Sequence, residues 1–181
     1  MVYVFFADGF EEVEALTPVD YMRRAGIDVV TLGVGNKYIR GAHNITIECD
    51  DIIENATGAT ELQGIVLPGG MPGTINLENS LVVQKYIDFC IENNKMVAAI
   101  CAAPSILGHK NILIGKQAVC FPGFEKDLFG AEIVDSYSVT DGNIITAKGA
   151  GSAPEFAFDI IRYLVSDEKA EEIRKTVQTC Y

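Results

Sequence analysis

Short, mostly apolar runs without alternation punctuate the chain at Val2–Phe6, Asp28–Leu32, Gly64–Leu67 and Met96–Ile100. Runs of this kind fit parallel strands covered on both faces, where neither side of the pleat meets water. Between them the apolar spacing lengthens to three and four residues. Glu11 to Ala25 reads as a helix with Ala15, Val19 and Met22 on one face and Gly26 as its stop. Pro18 lies inside it, and a kinked helix from Glu11 is preferred over one that starts at Pro18 with Thr17 as its cap. In the kinked helix Pro18 has no N–H to offer the carbonyl of Glu14, so the helix is disturbed at that acid. Ser80 caps a helix to Asn93 with Val83, Ile87 and Cys90 inward. Ser152 and Glu155 have capping-box spacing ahead of a continuous apolar face formed by Ala153, Phe156, Ala157, Ile160, Ile161 and Leu164. A last amphipathic helix runs from Asp167 to Val177.

The remaining stretches are less regular. Tyr38 to Asp50 holds one or two short strands, with Ile45 and Ile47 in alternation, and Thr57 to Glu61 is a polar connection. Ala118–Phe121 reads as a strand and Glu125–Phe129 as a short helix. Ser138–Thr140 and Ile144–Ala147 form a hairpin around Asp141-Gly142-Asn143. No internal repeat or linker interrupts the alternation of strands and helices. The pattern predicts one α/β domain over residues 1–181, with a mostly parallel sheet, helices on both faces and ligands at the carboxyl ends of the strands.

Charge and cysteine usage narrow the partners. The 25 acidic residues outnumber 14 basic ones for a net charge of −11, which argues against nucleic acid or anionic membrane as partners. Five cysteines, an odd number with no C-x-x-C pair, suit a reducing cytoplasm and supply no zinc ligand set. His43 and His109 form no metal-ligand motif. No charged leader precedes a hydrophobic run and no apolar stretch is long enough to span a bilayer, so a soluble, cytoplasmic protein is expected.

The candidate chemistry centres on Lys95–His109. Its strand ends at Cys101, and Ala102, Ala103 and Pro104 open a helix at once. A cysteine at such a corner, flanked by small residues and placed at a helix N-terminus, is expected to be accessible and to favour the thiolate. Pro68–Gly73 follows another buried strand and opens on the same sheet edge, so the amides of Gly70 and Ala102 can converge beside the sulfur. The first βα loop brings Glu11, Glu12 and Glu14 to that edge. The helix puts Glu11 and Glu14 on one side with Glu12 turned away, and an inward-pointing acid can hold a proton against the thiolate. Spacing alone leaves open which acid does so. Gly149-Ala150-Gly151 and Gly33-Val34-Gly35 each lack the third glycine of a dinucleotide fingerprint, and Pro68–Gly73 is no P-loop. A Cys–His–acid triad has no suitably placed histidine.

Together D-G-F-E-E-V-E-A-L with P-V-D-Y-M-R-R-A-G, L-P-G-G-M-P-G, A-A-I-C-A-A-P and K-G-A-G-S-A-P-E-F-A resemble the ThiJ/PfpI superfamily, in particular its parkinsonism-associated deglycase branch. The resemblance covers nearly the whole chain. It implies a flavodoxin-like sandwich that is usually a homodimer, with the first helix in the dimer contact. It matches the family's protonated glutamate to Glu14, its reactive cysteine to Cys101 and its oxyanion-type amides to Gly70 and Ala102, and it sets Gly69, Phe121 and His43 beside the substrate. Phe121 stands where some members keep a histidine, and His43 where some have an arginine reaching the partner's site. Ala102 replaces the histidine that follows the cysteine in protease-like members, which speaks against peptidase activity. Ala99, Ala103 and the missing distal histidine speak against glutamine amidotransferase chemistry. The activity implied is conversion of small aldehydes such as methylglyoxal or glyoxal, or of glycated adducts, to 2-hydroxy acids, with no cofactor and no metal. The alternative is a redox sensor or chaperone-like protein in which Cys101 is oxidised to sulfinate.

Overall fold

The first strand, β1 (Val2–Phe6), is buried from end to end and sends alternate side chains into two separate cores. Val2, Val4 and Phe6 enter one core, Tyr3 and Phe5 the other, as the two-residue period of a strand requires. The computed structural model describes residues 1–56 and 61–179, so most of the expected Thr57–Glu61 connection, and Cys180, fall outside the described residues. After β1 the chain forms α1 (Glu12–Arg24), β2 (Val29–Gly33), β3 (Tyr38–Arg40), β4 (Thr46–Glu48), β5 (Asp51–Ile52), β6 (Gly64–Leu67), α2 (Gly73–Asn79) and α3 (Leu81–Glu92). It continues through β7 (Met96–Ile100), α4 (Pro104–His109), β8 (Gln117–Ala118), β9 (Glu132–Ile133), β10 (Ser138–Asp141), β11 (Ile144–Ala147), α5 (Ala153–Leu164) and α6 (Asp167–Thr176).

Seven strands make the central sheet in the order β10-β11-β7-β6-β1-β2-β5. All its neighbours are parallel except the β10–β11 hairpin at one edge. Helices α1, α5 and α6 supply Ala15, Met22, Phe156, Ile160 and Ile173 to the core on one face. Helices α3 and α4 supply Val83, Ile87, Cys90, Ile106 and Leu107 to the other. Full burial of each large aliphatic or aromatic side chain contributes about 1.5–3 kcal/mol, which is why runs such as Ile65–Leu67 and Val97–Ile100 hold the centre. The protein is a flavodoxin-like α/β sandwich.

Chain order reverses between β1 and β6: from β1 the chain moves to β2 on one side, then returns to β6 on the other. Such a switch point splays the loops at the strands' carboxyl ends and leaves a crevice between them. The loops after β1, β6 and β7 meet there. Glu11 N–H donates to the Gly69 carbonyl at 2.9 Å, Gly73 N–H to Gly9 at 3.2 Å, and Asn76 Nδ2 to the Asp8 carbonyl at 2.8 Å.

Several expected elements differ in detail. The strand expected at Ala118–Phe121 is only Gln117–Ala118, paired with β9 outside the main sheet. The helix expected at Glu125–Phe129 is one 3-10 turn, Glu125–Asp127. Ser80 caps α3 as expected, its hydroxyl accepting from Val83 N–H. The Ser152–Glu155 capping box is absent. Ser152 Oγ instead accepts from Gly149 N–H at 3.0 Å and donates to the Gly149 carbonyl at 2.8 Å, while Glu155 forms a two-pronged pair with Arg174. Among the described residues no helix is long and apolar enough to cross a membrane.

Candidate active site

Cys101 follows directly on β7, in the left-handed region at φ +67°. A side chain other than glycine adopts that conformation rarely, at a cost of about 1–2 kcal/mol, so the surrounding structure must impose it. Two bonds do so. Cys101 N–H donates to the Ala147 carbonyl of β11 at 2.9 Å, and the Cys101 carbonyl accepts from Phe121 N–H at 2.8 Å. The regular helix begins at Pro104, three residues after the cysteine, and is six residues long. The helix N-terminus expected at Cys101 is therefore a non-helical turn, and two individual amides take its place. The N–H groups of Gly70 and Ala102 face the sulfur and stabilise its charged form.

Glu14, on the first turn of α1, is 1 % exposed and hydrogen-bonded to the Cys101 sulfur. Gly69 N–H donates to Glu14 Oε2 at 3.1 Å, and the Ala150 amide is a further donor. Burial pushes this carboxyl up to about 7; the nearby charge of Glu11 adds to the rise, while the Cys101, Gly69 and Ala150 hydrogen bonds oppose it. Burial likewise pushes the Cys101 thiol up to about 12, followed by the charge of Glu14 and its hydrogen bond, against the Gly70 and Ala102 amides. The two groups are competing for one proton. When Glu14 holds it, the carboxylate charge that opposes a thiolate is gone and the two amides remain. The thiol is still the favoured form, contrary to the thiolate expected from the sequence: burial leads the rise, no helix N-terminus sits at the sulfur, and the two amides offset only part of it.

Glycines allow this close approach. A Cβ on Gly69 would lie 2.5 Å from Cys101 Cβ, 2.5 Å from Glu14 Oε2 and 2.9 Å from the Ile100 carbonyl oxygen. Gly70, at φ +90°, has Glu11 N 2.4 Å from the same construction. Neither position has room for a side chain.

The residues expected beside the substrate fall in two places. Phe121 is next to the cysteine by its backbone bond, and it is 48 % exposed. His43 joins a different group: its Nδ1 lies 2.9 Å from Glu12 Oε2 and 3.4 Å from Glu11 Oε2. Glu12 is not turned to solvent as the helical spacing predicts. It is 5 % exposed because the loop at 41–45 folds over it, and its Oε1 accepts from His43 N–H at 2.8 Å and Ile45 N–H at 3.4 Å. Glu11, Glu12 and His43 offer three ligand atoms within 4.8 Å of one another, but protein donors already take up the Glu12 carboxylate. The residues that sequence reasoning missed are Gly149 and Ala150, which close the site against Glu14; the K-G-A-G stretch was their only signal.

An acid that keeps a proton near neutrality, a thiol sharing it, and two amides on the same sulfur form a site suited to nucleophilic attack on a carbonyl. The chain as a whole is similar to known proteins. The Parkinson disease protein 7 homolog of Danio rerio is 35% identical over 176 residues, covering 94% of this chain and 93% of that one. A deglycase of Pyrococcus abyssi is 29% identical over 167 residues, covering 90% and 98%. The structure of oxidized DJ-1 from Toxoplasma gondii superposes with a TM-score of 0.92 at 30% identity, covering 99% and 98%. The chain spans 40% of the longer protein DJ-1 homolog B of Arabidopsis thaliana. The sequence profile of the DJ-1/PfpI family matches residues 1–163, and the chain belongs to that family.

Proposed function

We propose that the protein converts reactive 2-oxoaldehydes, free or as early adducts on a carrier, into 2-hydroxy acids, with Cys101 as nucleophile and Glu14 as proton shuttle. The observation that carries this reading is the buried Glu14 carboxyl, raised to about 7, hydrogen-bonded to a sulfur that also faces two backbone amides. The name of the Pyrococcus abyssi relative, a deglycase, supports the same class.

For methylglyoxal, the Cys101 thiolate adds to the aldehyde carbon, and the oxygen that gains charge takes hydrogen bonds from Gly70 and Ala102 N–H. Protonated Glu14 gives its proton to that oxygen, forming a hemithioacetal. As a carboxylate it then takes the proton from the former aldehyde carbon to give an enediol and returns it to the neighbouring carbon, while the hydroxyl proton passes from the former aldehyde oxygen to the former ketone oxygen, leaving a 2-hydroxy thioester on Cys101. Water hydrolyses the thioester, so that methylglyoxal plus one water gives lactate and free thiol.

Turnover of methylglyoxal with detection of lactate, run on the wild type, Cys101→Ser and Glu14→Gln, tests the assignment. Loss of turnover in Cys101→Ser and a fall of about 10²–10⁴ in Glu14→Gln are expected. Full turnover in Cys101→Ser would sink it.

A second reading, an oxidation sensor, draws on one specific observation: Cys101 alone among the described cysteines is not buried. There peroxide takes the thiolate to sulfinate, and Glu14 hydrogen-bonds one of the added oxygens. Catalytic aldehyde consumption separates the first reading from this one, in which oxygen uptake is stoichiometric.

A further inference from the structure

A groove of about 340 Å³ opens beside the reacting pair, lined by Phe121, Pro122, Tyr137, Lys148 and the turn Gly149–Ser152. Gly149 joins it to the chemistry: a Cβ there would stand 3.2 Å from Phe121 Cδ2 and 3.8 Å from Glu14 Oε1. Phe121 is held at the other wall by the bond from its N–H to the Cys101 carbonyl. Through Gly149, a substituent on an aldehyde bound at Cys101 and Glu14 can extend into this groove.

The lining fits an aromatic group. Phe121 and Tyr137 are 48 % and 69 % exposed, an unusual placement for two aromatic rings in one cleft. Lys148, the one charged side chain in the lining, is engaged by Asp135 at 3.1 Å. A methyl group fills little of the space, whereas a cavity of roughly 150 Å³ already accepts benzene. We propose that this groove is an apolar subsite for the substituent of the substrate, and that 2-oxoaldehydes carrying an aryl group are preferred over methylglyoxal. The proposal rests on the Cys101 chemistry above; phenylglyoxal plus one water would give mandelate by the same steps.

The test compares kcat/KM for phenylglyoxal and methylglyoxal in the wild type, Phe121→Ala and Tyr137→Ala. Because both rings are exposed, their removal leaves the core intact. A preference for phenylglyoxal of about tenfold is expected from burial of the ring, falling toward unity in Phe121→Ala. A wild type that uses phenylglyoxal no better than methylglyoxal, or a ratio unchanged in both variants, overturns the subsite. If neither aldehyde is turned over, the Cys101 reading has failed and binding decides the groove on its own. In that case saturation transfer to acetophenone, present in the wild type and lost in Phe121→Ala, upholds the subsite, and no transfer in the wild type refutes it.

Discussion

At the scale of the residue, Glu14 sets a conflict that a proton resolves. Its burial opposes the carboxylate, and its folded pKa of about 7 stands above the ordinary 4.5. A raised value means that the folded state binds the proton more tightly than the unfolded chain does. The associated stability is fully present below pH 4.5 and is lost as the pH rises through about 7. The full difference corresponds to about 3 kcal/mol at 1.36 kcal/mol per pH unit. Glu14→Gln has no charge to bury. We therefore expect it to be more stable than the wild type by about 2–3 kcal/mol at pH 8 and equal to it within about 0.5 kcal/mol at pH 4.5, by urea denaturation. A difference that does not change between the two pH values would mean that Glu14 keeps no proton in the folded protein. The stability gained in this variant would come with loss of turnover, since the group that destabilises the fold is the one proposed to move protons.

At the scale of the element, α1 holds two acids that do opposite jobs on adjacent faces. Glu14 points into the sheet edge; Glu12 points into the loop at 41–45 and satisfies two of its backbone N–H groups. Burial raises the Glu12 carboxyl, but the His43 side chain and the surrounding backbone donors outweigh it and leave the pKa below the usual carboxylate value. Glu12→Ala removes the acceptor and leaves those donors unpaired, at a cost of about 1–3 kcal/mol. Hydrogen exchange at His43 and Ile45 should accelerate in this variant while β1 stays protected; unchanged exchange at both amides would show that the loop stands without Glu12. This arrangement also marks where sequence reasoning ends. Met96–Ile100, the Cys101 corner and the convergence of Gly70 and Ala102 were legible, because buried runs, small residues and glycine punctuation are local signals. Glu12 was not, because a helical wheel cannot show a distant loop folding over it. Ser152 and Glu155 have the right spacing for a cap, yet Gly149 and Arg174, the latter on another helix, claim their side chains. Helix α2 escaped because it is seven residues long, begins on Gly73 and buries only Gly73, Thr74 and Leu77, too few positions to establish a period.

At the scale of the whole molecule, the fold decides which sulfur meets solvent. Cys49, Cys90 and Cys120 lie 1 %, 0 % and 3 % exposed in the two cores. Burial pushes the first two up to about 12 and Cys120 up to about 11. An oxidant in water reaches them only when the structure opens locally, and the centre of a sandwich opens last. Cys101 stands just past the carboxyl end of β7 and is only partly buried. Its thiol is also pushed up to about 12, but part of that rise is the Glu14 charge, which vanishes whenever Glu14 takes the shared proton. Burial is the leading cause at all four sulfurs, so what sets Cys101 apart is its access to solvent rather than its pKa. Limiting peroxide should therefore oxidise Cys101 well before Cys49, Cys90 or Cys120, as read by peptide mass spectrometry over time. The order should collapse in urea, where all the thiols are exposed alike. Oxidation of a core cysteine ahead of Cys101 in the folded protein would remove the basis for both functional readings, because each requires the Cys101 sulfur to be the one that reacts.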